Sequence, residues 1–206
     1  EENIPLEVEV QTLAQKYASI NGAMSIHHEG KEYTLQQAAN FLKNPNRSVR
    51  EIIWKKIQER RFEAHEELDN LLSELIKIRH QIALNAGFSN FRDYMHKALG
   101  RFDYSVDDCF AFHSVIRDEV VPLLKPINEK RQKSLNISPL RPWDLEVDIE
   151  GRPALLPFTN GNDLIEKTLK SFERLDPFFK TVIDTMDKKG HLDLESRIGK
   201  APGGYN

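Results

Sequence analysis

Cysteine is almost absent. Cys109 is the only one among 206 residues, which excludes an intrachain disulfide, an iron–sulfur cluster and a four-cysteine zinc site. Long apolar runs are also missing. Stretches such as Ala154–Leu156 and Val120–Val121 are far too short to span a bilayer. Neither sign of charge dominates, with 29 Lys and Arg against 32 Asp and Glu. The strongly basic balance of a dedicated nucleic-acid binder is therefore lacking. The chain opens Glu1-Glu2, with no signal-peptide pattern. These absences lead us to expect a cytoplasmic chain with no membrane and no nucleic-acid partner. A chain of this length can bury roughly 70% of its unfolded surface without disulfide or metal staples.

What is present is mostly helical pattern. Leu6, Val10, Leu13 and Tyr17 recur at helical spacing, Pro5 suits a first turn, and Gly22 ends the helix. Met24 and Ile26 alternate with polar residues up to Glu29-Gly30-Lys31, and Tyr33 and Leu35 alternate beyond it, which predicts a short hairpin. Thr34 with Gln37 reads as a capping box for a short helix stopped at Asn44-Pro45-Asn46.

Ser48, with Glu51, is expected to cap one continuous helix from Val49 to about Ala86, roughly 57 Å long. Ile57, Ala64, Leu71 and Ile78 repeat every seven residues, and so do Leu68, Leu75 and Ile82. Such a seam calls for a long partner helix, part of it expected from the helix beginning at Ser105. Further helices are predicted from Ser89 to Leu99, from Ser105 with a kink at Pro122, from Asn162 or Asp163, and from Leu175 to Lys188. Four prolines between Ile137 and Phe158 mark a loop. The expected fold class is mainly α, with the hairpin and short extended pieces near 145–149 and 191–198. Breaks in pattern suggest three parts, 1–47, 48–136 and 137–206.

Catalytic chemistry is largely absent. His65-Glu66-Glu67-Leu68-Asp69 starts like the His-Glu-x-x-His helix of zinc peptidases, but its fifth residue is Asp. Asp93-Tyr94-Met95-His96 is a single near match to a di-iron helix, with the wrong acid. Cys109 and His113, four apart, could pair as thiolate and imidazole, but a cysteine between Asp108 and Phe110 on an amphipathic helix is more often a core residue. No nucleophile elbow and no phosphate loop occur. The residues alone thus describe a helical chain without a complete active site.

Several ordered stretches nevertheless resemble the oligoendopeptidase F branch of the thimet-oligopeptidase family of zinc peptidases. They are Gly30–Ala39, Arg47–Glu51, Arg79–Phe88, Phe91–Tyr94, Arg141–Leu145, His191–Glu195 and Gly199–Tyr205. The resemblance implies a helical shell around a deep channel, a zinc cofactor and short peptide substrates. In that family the glycine-rich segment precedes the zinc-binding His-Glu-x-x-His helix, which this sequence does not contain. The expectation is a fragment of the N-terminal and middle part of such an enzyme. No catalytic and no zinc-ligating residue can be assigned, so no cofactor is expected in this chain and it should be inactive alone. Only Gly203, Gly204 and Tyr205 carry over, as substrate-binding residues beside the cleft. A partly unpartnered seam further predicts self-association. The competing reading is a non-enzymatic helical scaffold module.

Overall fold

A computed structural model describes residues 1–204. The chain divides into two compact units, 1–150 with 198–206, and 151–197. These boundaries follow contacts, whereas the three-part division follows breaks in sequence pattern.

The first unit begins with α1 (Asn3–Gly22) and a hairpin, β1 (Ser25–His28) and β2 (Lys31–Thr34). The strands pair antiparallel, with Ile26 opposite Tyr33 and His28 opposite Lys31. Glu29 and Gly30 both adopt positive φ, at 50° and 75°. This two-residue turn matches the right-handed twist of the strands. Thr34 then forms the expected capping box with Gln37 and starts α2 (Leu35–Ala39).

The long helix is divided. It forms α3 (Arg47–Glu63) and α4 (His65–Asn85), which differs from the continuous rod expected from sequence. Ala64 leaves helical geometry at φ −96° and ψ 7°. His65 Nδ1 lies 2.6 Å from the Phe62 carbonyl, and the two rings stack at 4.3 Å. The side chain thus occupies a carbonyl that the next turn of an unbroken helix would have used. The cap is Asn46, which accepts from the Ser48 N–H, rather than Ser48 itself. No Gly or Pro announced this break.

The two halves pack mainly on different partners, although Leu68 at the start of α4 still touches the hairpin cluster. Ile53 and Ile57 of α3 pack with Met24, Ile26, Leu35 and Ala38 of the hairpin and α2. Along α4, Leu71, Leu75, Ile82 and Ala83 are buried, and the long partner there is α1 rather than the helix from Ser105. The pairing is antiparallel: Asn3 Nδ2 donates to the Ile82 carbonyl at 3.0 Å, and Lys16 lies 3.4 Å from Glu67. The seam is therefore closed within the chain over this length.

Helix α5 (Phe91–Ala98) packs against α4 and is capped by Asn90, one residue after the expected Ser89. Next, α6 (Val106–Val115) carries the Ser105–Asp108 capping box. The chain then passes through a π turn (Ile116–Val120) and a 3₁₀ turn (Val121–Leu123) into α7 (Leu124–Ser134). Pro122 lacks an N–H, which accounts for the distortion at this point. A further 3₁₀ turn covers Pro142–Asp144. The extended piece expected at 145–149 forms no strand, and neither does 191–198. At the first, the Arg131 side chain rather than a partner strand takes the Val147 carbonyl, at 2.8 Å.

The second unit is a helical hairpin of α8 (Gly161–Leu175) and α9 (Pro177–Lys188). Asn160 caps α8 and Asp176 caps α9. The Glu195 carboxylate accepts from the Gly161 N–H at 2.6 Å, where the positive end of the α8 dipole favours an anion. Among the described residues no helix is long and apolar enough to cross a membrane.

Candidate functional site

The glycine-rich segment lies against the end of α1. The Gly199 N–H donates to the Gly22 carbonyl at 2.7 Å. Gly22 is buried, and a Cβ there would stand 3.0 Å from the Lys200 carbonyl oxygen and 3.1 Å from its carbon. Two backbones meet at a distance that only glycine permits without displacement. Gly199 and Gly203 have φ of 84° and 118°, so the segment follows a path closed to most side chains. Gly203 and Gly204 are exposed, and a Cβ on Gly204 would meet nothing within 4 Å. Both therefore present their backbone at the surface. Tyr205 lies outside the described residues. The sequence marks Gly22 only as a helix stop, and nothing local reveals its contact with Lys200.

A second centre joins two of the resembling stretches, Arg47–Glu51 and Arg141–Leu145. Asp144 is fully buried. Its Oδ1 accepts from Arg47 Nε at 3.0 Å and Arg50 Nη2 at 2.9 Å, and its Oδ2 from Arg47 Nη2 at 2.8 Å and the Arg141 N–H at 3.0 Å. Arg50, also buried, gives three further hydrogen bonds to the carbonyls of Asn44, Pro45 and Trp143, each at 2.9 Å. Trp143 in turn packs on Trp54, with ring centroids 5.5 Å apart. Burial pushes the Asp144 carboxyl up, but the hydrogen bonds from Arg47, Arg50 and the Arg141 N–H, with the charge of Arg47, outweigh it and hold the group below the usual carboxylate range. The hydrogen bond to Asp144 raises Arg47 in its turn. Both oxygens of Asp144 accept two hydrogen bonds from protein donors, so the cluster fastens the 137–149 loop to α3.

The remaining candidates stay apart. His65 caps Phe62, Asp93 binds Asn90 and Arg92, and Cys109 and His113 line a cavity of about 300 Å³ between α5 and α6. Among the described residues no three His, Cys, Asp or Glu side chains come together as a metal site. The described residues therefore offer zinc no set of three ligands.

Comparison with known proteins matches residues 40–206 to the model of peptidase family M3. The chain belongs to peptidase family M3. A solved structure of PZ peptidase A with an inhibitor is 27% identical and superposes with a TM-score of 0.89, over 100% of this chain and 36% of its own. A structure described as an oligoendopeptidase F is 25% identical, with a TM-score of 0.88 over 98% of this chain and 36% of its own. Another, from Bacillus anthracis str. Ames, is 24% identical with a TM-score of 0.88 over 100% and 38%, and supports the M3 fold alone. None of the curated proteins compared with the chain matches it. The chain thus spans little more than a third of the M3 structures it matches.

Proposed function

We propose that this chain is the helical wall of a zinc-dependent oligoendopeptidase that hydrolyses short peptides in the cytoplasm. The family match over residues 40–206 carries this reading, and superposition on two solved peptidases at 27% and 25% identity supports it. Zinc and the general base would be supplied by parts of the larger polypeptide outside this sequence, which has no His-Glu-x-x-His helix. There the metal would polarise the scissile carbonyl and activate water. This chain would contribute its glycine-rich segment, with Gly203, Gly204 and Tyr205 beside the bound peptide. Open backbone at Gly203 and Gly204 favours this role, because N–H and C=O groups free of side chains can pair with an extended peptide.

Two measurements test the proposal. The purified chain, given zinc and a quenched fluorescent peptide, should show no chelator-sensitive turnover; turnover in a contaminant-free sample would overturn the assignment of catalysis elsewhere. Substituted for the matching segment of a solved family member, the chain should support zinc-dependent peptide cleavage. A folded, zinc-loaded chimera without cleavage would favour the scaffold reading.

Self-association belongs to the same proposal, by a different route from the α4 seam. Phe110, Phe112, Val115, Val121, Leu123 and Leu124, at the surface of the α6–α7 segment, are each about half exposed or more.

A further inference from the structure

A cavity of about 500 Å³ opens between α1, α4 and α5. Its size falls within the usual range for small-molecule sites, about 300–1,000 Å³. Val10, Ile82, Phe91 and Met95 supply apolar lining, while Glu7 from α1 and Arg79 from α4 bring opposite charges. The Arg79 guanidinium carbon sits 5.8 Å from the Phe91 ring centroid, which holds the planar group by cation–π attraction. Neither Glu7 nor Arg79 forms an ion pair among the described residues, although exposed i,i+4 pairs such as Lys55–Glu51 and Lys188–Asp184 form readily in this chain. Two unlike charges thus line one apolar cleft without neutralising each other.

We infer that this cleft binds a small zwitterion with apolar side chains, a short peptide or amino acid whose free ends are both charged. The carboxylate lies on the Arg79 fork, which suits a bidentate partner. The ammonium lies toward Glu7, and the side chains cover Val10, Ile82, Phe91 and Met95. A dianion such as a phosphate ester meets repulsion from Glu7. A purely apolar molecule leaves Arg79 desolvated and unpaired, which is costly. The inference goes beyond the peptidase reading and uses no part of it, so the site can fail while that reading stands.

The test is a titration of the ¹⁵N-labelled 206-residue chain with leucyl-phenylalanine, its N-acetyl form, its C-terminal amide, and free leucine. The free dipeptide should saturate with a dissociation constant on the order of 1 mM, with shifts confined to α1, α4 and α5. Blocking either end should weaken it about tenfold. Arg79→Gln should weaken the free dipeptide by the same factor and leave the amide unchanged, and Glu7→Gln should do likewise for the acetylated form. Tighter binding of the dipeptide than of leucine marks a peptide site, and the reverse an amino-acid site. Equal binding of free and blocked dipeptides, or no saturation by dipeptide or leucine, overturns the inference. The blocked series on the unaltered chain decides the matter if a variant fails to fold.

Discussion

At the scale of single residues, Asp144 is the most consequential side chain. Converting it to Asn removes the charge that Arg50 is buried against. Breaking one partner of a buried pair costs about 3–5 kcal/mol. Asp144→Asn should therefore lower the urea midpoint sharply at pH 7. Because the folded-state carboxyl is held below its ordinary value of about 3.9, its contribution is complete above that pH and disappears as pH falls through the folded value. The stability gap between the parent chain and the variant should thus be constant from pH 5 to pH 7 and close below about pH 4. A gap that stays open in acid would show that the Asn variant fails for packing reasons. Gly22 acts differently. In Gly22→Ala, helix propensity contributes about 1 kcal/mol, while the new Cβ presses on the Lys200 carbonyl at 3.0 Å. Global stability should change little. The Gly199 amide, bonded to the Gly22 carbonyl, should lose about tenfold of its hydrogen-exchange protection. Unchanged protection would mean that the segment moves with the new methyl.

At the scale of elements, the division at Ala64 decides what each half-helix does. The seven-residue repeat correctly marks Ile57, Leu71, Leu75 and Ile82 as inward-facing, and all are buried. Yet Ile57 belongs to the hairpin core, and the other three belong to helix α4 against α1. A seam closed internally predicts that Leu71→Ala costs about 2–5 kcal/mol of folding stability and leaves the oligomeric state as it was. A loss of association without a loss of stability would restore the intermolecular seam.

At the scale of the molecule, the α6–α7 segment carries several large apolar side chains that are about half exposed or more, Phe110 and Phe112 among them. Exposed apolar patches beyond a few hundred Å² find partners. The isolated chain should sediment as a concentration-dependent dimer or larger species, and replacing Phe110 and Phe112 with Ser should shift it toward monomer. A monomer for the parent chain at about 100 µM, far above the micromolar dissociation constants of ordinary weak dimers, would show that the segment needs no cover.

The periodic and capping signals determined the presence of the helices and the hairpin and some of their ends, because these depend on residues three or four apart: Thr34 with Gln37, Ser105 with Asp108, Glu29-Gly30 in the turn; other starts lie one or two residues from the expected ones, at Asn46, Asn90, Asn160 and Asp176. The ordered stretches also disclosed the family, since they keep their sequence and spacing whatever they touch. Tertiary structure decided the rest. Asp144 and Arg50 are 94 residues apart and share one buried charge, while Gly22 and Lys200 meet only because α1 and the glycine-rich segment are brought together. The break at Ala64 rests on a His65 side chain competing for a backbone carbonyl, a local choice that hydrophobic pattern does not encode. The cavity of Glu7 and Arg79 likewise depends on three helices meeting, and no pair of residues in the sequence signals that meeting.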